Sequence, residues 1–140
     1  MRTFETQRPL PFTAEQIFNA FRDPALLAQW WGPKGFTNTF NRFEFTPGGR
    51  WSFVMHAPDG KDYPNESIFK TIEPPRMLVI RHDCPPYFTL TVTITPEGGG
   101  SVIAWRQEFD SEETARNVAA IVIPGNEQNL DRLEALLSNR

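Results

Sequence analysis

The sequence has a single cysteine, Cys84, so no disulfide within the chain can stabilise the fold. It has no strong excess of charge, because 14 Lys and Arg residues face 17 Asp and Glu residues, and the formal net charge is −3. Nucleic acid is therefore not an expected partner. No apolar run approaches the length of a signal peptide or a membrane span, and the longest one ends at Ile123. We expect a cytoplasmic protein with no membrane span.

Aromatic residues and prolines are abundant: the 140 residues include 12 Phe, 4 Trp and 13 Pro. A chain of this length fits one domain, which we place over residues 1–140. It is also long enough to bury a sizeable apolar core without disulfides or structural metals. The composition thus predicts a turn-rich protein with an aromatic core.

Helix signals come first in the chain. Thr13 and Gln16 have the spacing of a capping box, which predicts a helix that ends near Arg22. Asp23-Pro24 reads as a new N-cap followed by proline at the first helical position, so a second short helix is expected over residues 24–29. Trp31-Gly32-Pro33 ends it, because glycine and proline together oppose further helix.

Between residues 35 and 109, apolar and polar residues alternate with a period of two, which is typical of strands. Turn residues divide this region into six predicted strands. A further strand is expected at residues 3–8. Short connections predict an antiparallel sheet built mostly from sequence neighbours. Phe40 and Phe43 are three residues apart, so in a regular strand their rings would lie on opposite faces of the sheet. We therefore predict a bulge or bend near Asn41-Arg42.

A helical pattern returns after Phe109. Asp110 and Glu113 have capping-box spacing, and Pro124-Gly125 is expected to break or kink the helix. Leucines then recur at helical spacing over residues 130–137, so this segment is amphipathic and is expected to dock on the sheet.

A family resemblance rests on three motifs. Residues 17–33 read Ile-Phe-Asn-Ala-Phe-Arg-Asp-Pro-Ala-Leu-Leu-Ala-Gln-Trp-Trp-Gly-Pro, and Pro47-Gly48-Gly49 and Pro58-Asp59-Gly60 follow. The chain resembles the family related to the C-terminal domain of the activator of heat-shock protein 90 ATPase, in the START and birch-pollen-allergen superfamily. The resemblance implies an α+β helix-grip fold: a curved antiparallel sheet of about seven strands around a long, kinked C-terminal helix, with two short helices after strand 1. Members of this superfamily bind lipids, carry hormones, cyclise polyketides or contact other proteins.

The first candidate site is an apolar cavity between the sheet and the C-terminal helix. Aromatic-lined concavities with few polar groups are typical of small-molecule sites, and most of the weight for a cavity here comes from the family resemblance. The alternative is that the same rings simply fill the core. The expected lining residues are Trp30, Trp31, Phe36, Trp51, Phe53, Met55, His82, Phe88, Leu90, Trp105, Arg106, Val118 and Val122.

Three functions remain open. The leading hypothesis is a carrier, monomeric or homodimeric, that holds a hydrophobic small molecule or lipid in this cavity, with His82 and Arg106 orienting the ligand. Arg106 has an alternative as a surface pair with Glu108. The second hypothesis is a cyclase- or hydratase-type enzyme that uses the same cavity, although no catalytic residue is assigned. The third is a module that contacts a chaperone or another protein through exposed Trp30, Trp31 and Phe36.

No cofactor or metal is expected. His82, Asp83 and Cys84 form the only tight cluster of metal-ligating residue types. Successive strand residues point to opposite faces, so at best two of the three converge, and no second pair completes a ligand shell.

Overall fold

Seven strands and three helices follow one another in the computed structural model, which describes residues 2–140. The order is β1 (Thr3–Leu10), α1 (Ala14–Arg22), α2 (Pro24–Trp30), β2 (Thr37–Phe43), β3 (Arg50–His56), β4 (Asp62–Glu73), β5 (Met77–His82), β6 (Phe88–Glu97), β7 (Gly100–Phe109) and α3 (Glu112–Ser138). The strands form one antiparallel sheet in the order β1-β7-β6-β5-β4-β3-β2. This confirms the expected α+β helix-grip architecture. Within residues 2–140, no helix is both long and apolar enough to cross a membrane.

The two short helices begin as the sequence predicts. The Thr13 side chain accepts a hydrogen bond from the backbone of Gln16, whose side chain in turn accepts from the backbone of Thr13. Asp23 caps α2 by accepting from the N–H of Ala25. These contacts satisfy backbone N–H groups that have no partner within the helix.

The start of α3 differs from the prediction. The N-cap is Ser111, whose hydroxyl accepts from the N–H of Thr114, and not Asp110 with Glu113. The Asp110 carboxylate instead forms two hydrogen bonds with the guanidinium of Arg81, at 2.8 and 2.7 Å. An ion pair with a strand thus replaces the expected local cap.

Pro124 lies inside α3, and the helix continues through it to Ser138. Of the two expected outcomes at Pro124-Gly125, a break or a kink, the break is therefore wrong. Proline has no backbone N–H, so the hydrogen bond that this position would donate within the helix is missing.

The predicted irregularity in β2 is confirmed, because the register with β3 shifts between Phe40 and Arg42. The shift brings Phe40 and Phe43 to the same face, where their rings stack at 5.7 Å between centroids. A second shift, in β4 between Phe69 and Thr71, was not predicted. Both shifts let the strands bend while large rings stay on the buried face.

The core lies between the inner face of the sheet and the helices. Its largest fully buried side chains are Trp30, Trp51, Phe18, Phe21, Phe69, Phe109, Ile17, Leu27, Leu78, Ile94, Ile103 and Leu130. Only the C-terminal half of α3 contributes leucines to this core, which anchors that half of the helix to the sheet.

Candidate functional site

Six side chains form one row across the inner face of the sheet. The strand register places them side by side in the order Phe43, Trp51, Ser67, His82, Phe88 and Phe109. The row is mostly aromatic, and its polar members are the buried Ser67 and His82. We call it the inner-face row.

Trp31, the residue directly after α2, lies between two tryptophans of distant strands. Its ring centroid is 5.1 Å from that of Trp51 in β3 and 5.7 Å from that of Trp105 in β7. Three strands, β6, β5 and β4, lie between β7 and β3 in the sheet, so only a curved sheet allows one indole to contact both. We call Trp31, Trp51 and Trp105 the tryptophan trio.

Two members of the trio have buried polar atoms without a partner. The indole N–H groups of Trp51 and Trp105 make no hydrogen bond, although the two side chains are only 0% and 3% exposed. Trp30 differs, because its indole N–H donates to the carbonyl of Ala20 at 3.0 Å. Buried donors are almost always paired in folded proteins, so these two unpaired N–H groups are exceptional.

The position of Trp31 is fixed from α3. The Asn129 side chain donates to the carbonyl of Trp30 and accepts from the N–H of Gly32. The guanidinium of Arg132 donates to five backbone carbonyls, those of Gln29, Trp31, Gly32, Pro33 and Phe36. Burial lowers the pKa of Arg132 from its ordinary value. These contacts hold the whole turn that carries Trp31.

His82 is buried at the end of β5, on the same face as the buried Leu78 and Ile80. Its Nδ1 lies 2.7 Å from the carbonyl oxygen of Pro86, to which it donates, and its Nε2 lies 2.7 Å from Oδ1 of Asn65. The ring stacks on Phe88 at 4.4 Å between centroids. Burial lowers the pKa of His82, although the hydrogen bond to Pro86 acts in the opposite direction. A neutral ring is therefore the form expected at neutral pH.

The N-terminal half of α3 covers the inner face incompletely. Val118 and Val122 are only half-buried, whereas Leu130 and Leu133 on the same helix are fully buried. The Asn126 side chain donates to that of Gln107 in β7 at 3.0 Å. Beside this contact, a cleft of about 260 Å³ opens between β1 and α3, lined by Thr3, Phe4, Glu5, Thr6, Ile123, Asn126 and Glu127.

Most of the expected lining residues lie on or next to the inner face. Trp31, Trp51, Phe53, Leu90 and Trp105 pack in the core or against it. Met55, Phe88 and His82 share this face, Phe36 packs half-buried against Tyr63, and Trp30 is fully buried against Phe21.

Arg106 is placed differently from the expectation. It lies on the exposed outer face of β7 and pairs with Glu5 and Glu108. The neighbours Trp105 and Gln107 point inward, and alternate residues of a strand face opposite sides. Arg106 therefore does not line the inner face, and its alternative interpretation as a surface pair with Glu108 describes its contacts.

The three residues proposed for a protein contact do not form an exposed patch. Trp30 is fully buried, and Trp31 and Phe36 are half-buried. Among residues 2–140, no three His, Cys, Asp or Glu side chains are grouped so that they could hold a metal ion.

Four polar residues of this region were missed from the sequence: Asn65, Gln107, Asn129 and Arg132. Gln107 and Asn65 had a signal, because each lies at the parity of buried neighbours in its strand. Asn129 and Arg132 had none, since their partners are backbone groups about a hundred residues away.

An antiparallel sheet closed by a long C-terminal helix, with an aromatic inner face, defines a helix-grip protein. Residues 11–138 match the model of the family described as Activator of Hsp90 ATPase homolog 1-like protein, and the chain belongs to this family. No curated protein matches the sequence.

Solved structures show the same fold. A protein from Arthrobacter aurescens has a TM-score of 0.90 at 26% identity, covering 99% of this chain and 87% of that one. A protein from Nitrosomonas europaea has a TM-score of 0.89 at 20% identity, with 99% and 95% covered. The AHSA1 protein from Silicibacter pomeroyi has a TM-score of 0.78 at 22% identity, with 97% of each chain covered. Likeness at such low identity establishes the fold, not the activity.

Proposed function

We propose that this protein binds a largely apolar small molecule or lipid between the tryptophan trio and the N-terminal half of α3. The observation that carries the proposal is the pair of buried indole N–H groups, on Trp51 and Trp105, that have no acceptor. Each unpaired buried donor costs about 1–3 kcal/mol, and a ligand oxygen placed against it would recover that cost.

The surroundings indicate the chemistry of the ligand. None of the six side chains in the inner-face row carries a charge when His82 is neutral. Half-buried Val118, Val122 and Phe88 offer apolar contact at the open side. These features favour a neutral apolar molecule with a carbonyl, ether or hydroxyl oxygen that accepts a hydrogen bond.

Mass spectrometry of the protein purified from its own host tests the proposal. We expect an added mass of roughly a few hundred daltons under non-denaturing conditions that disappears on unfolding. A protein that carries no added mass, and that also fails to enhance the fluorescence of anilinonaphthalene sulfonate, would contradict the proposal.

Substitutions then locate the site. Trp51→Phe and Trp105→Phe keep an aromatic ring but remove the N–H, so each should weaken binding about fivefold, the equivalent of roughly 1 kcal/mol. Trp30→Phe is the matched control, because its N–H already donates to Ala20. It should lower stability and leave affinity unchanged. Equal effects of all three variants on affinity would place the ligand elsewhere.

A second candidate function is a cyclase- or hydratase-type reaction at the same place. The observation that favours it is His82, a buried neutral imidazole on the inner-face row that can accept a proton. With the molecule found by mass spectrometry as substrate, His82→Ala should reduce turnover by orders of magnitude while binding persists. A carrier should lose only the contribution of one hydrogen bond to affinity.

A further inference from the structure

β1 is an edge strand, since it pairs with β7 on one side and, within residues 2–140, no strand pairs with its other side. The N–H of Phe109 donates to the carbonyl of Arg2, which shows that even-numbered residues direct their backbone groups toward β7. Alternate residues of an antiparallel strand direct these groups to opposite edges. Thr3, Glu5 and Gln7 therefore present backbone N–H and C=O groups at the outer edge.

Pro9 sets the limit of this edge. It occupies an odd-numbered position, where its missing N–H leaves no gap in the ladder with β7. The outer edge that can still donate hydrogen bonds is therefore about five residues long, from Thr3 to Gln7.

Two clefts flank the edge, one on each face of the sheet. On the inner side, the cleft between β1 and α3 contains Phe4 and Ile123, and Ile123 is 52% exposed. On the outer side, a cleft of about 290 Å³ lies over the β1–β7 pair, lined by residues 5–7 and 104–106. A strand added at this edge would direct alternate side chains to the two faces, and those on the inner face would lie beside Phe4 and Ile123.

The side chains beside the edge carry more negative than positive charge: Glu5, Glu108, Glu127, Asp131 and Glu134 against Arg2, Arg8 and Arg106. Arg8 is 20% exposed and pairs with Glu127, Asp131 and Glu134 of α3, of which Asp131 is 66% exposed. Glu5 is 66% exposed on the outer side, where one of its two carboxylate oxygens pairs with Arg106. A second copy pairing antiparallel about Glu5 would set two Glu5 carboxylates against each other, which is unfavourable. A basic segment is the complementary partner.

We propose that the outer edge of β1 binds an extended peptide segment of alternating apolar and basic residues by strand addition. The peptide backbone pairs with Thr3, Glu5 and Gln7. Its apolar side chains enter the cleft between Phe4 and Ile123, and its basic side chains face Glu5. The partner is thus a segment of another protein, bound apart from the inner-face row.

Fluorescence anisotropy with a labelled peptide of alternating Lys and Val tests this proposal on the full chain. Gln7→Pro removes an outward N–H without removing a hydrogen bond to β7, and Gln7→Ala is its matched control. Ile123→Ser removes the apolar wall of the cleft, and Ile121→Ser is its control, because Ile121 is 71% exposed and does not line the cleft. We expect at least a tenfold loss of affinity for Gln7→Pro and Ile123→Ser, and less than a twofold change for the two controls.

Three results would overturn the proposal. The first is equal binding by all four variants, with thermal unfolding showing that each is folded. The second is equal binding of a peptide with Glu in place of Lys. The third is a dimer in sedimentation equilibrium that Gln7→Pro dissociates, because the occupant of the edge would then be a second copy. Slowed amide exchange at Glu5 and Gln7 on addition of the Lys and Val peptide would support strand addition directly.

Discussion

The guanidinium of Arg132 lies 3.1 Å from the carbonyl oxygen of Trp31, so a residue near the end of the last helix holds the indole at the centre of the tryptophan trio. The same guanidinium binds four further carbonyls of the turn around Trp31. Any movement of this part of α3 is therefore coupled to the inner face of the sheet.

Arg132→Met should lower the free energy of unfolding by about 3 kcal/mol, because several carbonyls lose a charged donor at once. Arg116→Met, an exposed position on the same helix, is the control and should cost less than about 0.5 kcal/mol. Urea unfolding measures both. A loss for Arg132→Met no larger than that of the control would contradict the inference that Arg132 holds the turn around Trp31.

His82 should make stability depend on pH. Its pKa is lowered in the fold from an ordinary value of 6.5, so the unfolded chain takes up a proton at higher pH than the folded chain. Acid therefore favours unfolding. The free energy of unfolding should be highest above about pH 6.5 and should fall as the pH drops through that value. His82→Gln should flatten the dependence between about pH 5 and 7, measured by urea midpoints.

The other histidine provides the control for this pH dependence. His56 lies on the outer face, bonded to Thr39 and Asp62. His56→Gln should retain most of the wild-type pH dependence. An identical flattening by both variants would assign the effect to something other than burial of His82.

Ser111→Ala should destabilise the protein by about 1 kcal/mol, because it removes the N-cap of α3. Glu113→Ala should cost less than half as much, since Glu113 does not close a capping box with Asp110. Thermal unfolding compares the two. A larger loss for Glu113→Ala than for Ser111→Ala would instead support the capping box of Asp110 and Glu113 that the sequence predicts.

Gly32→Ala should destabilise the protein for two separable reasons. Gly32 has a φ of +100°, which side-chain-bearing residues rarely adopt, and a Cβ there would lie 2.8 Å from Cε of Met55. We expect a loss of about 1–3 kcal/mol. In the background of Met55→Ala, which removes the clash, the effect of Gly32→Ala should be smaller but not zero, as a double-mutant cycle by urea unfolding would show.

Local signals explain how much of the fold was predictable. Thr13 with Gln16 and Asp23 with Pro24 act within four residues, and the structure keeps both caps. The cap at Asp110 failed because Arg81, from a distant strand, competes for the same carboxylate. Short-range patterns cannot reveal such a competitor.

In the candidate site, too, local patterns predict some features, while others depend on distant contacts. The alternation of strand residues separates the two histidines: His82 shares the face of the buried Leu78 and Ile80, whereas His56 lies on the face opposite Trp51 and Phe53. Arg106 was misplaced because the pattern of β7 mixes apolar residues on both faces. The contact of Trp31 with Trp105 depends on the curvature of the whole sheet, which no local pattern encodes.

The tryptophan trio also gives the chain an optical reporter of its own. Centroid distances of 5.1 and 5.7 Å are short enough for the excited states of the three indoles to couple. Near-ultraviolet circular dichroism and emission from this cluster will therefore change whenever the turn at Trp31 shifts relative to the strands. Events at the inner face can be followed without any attached label.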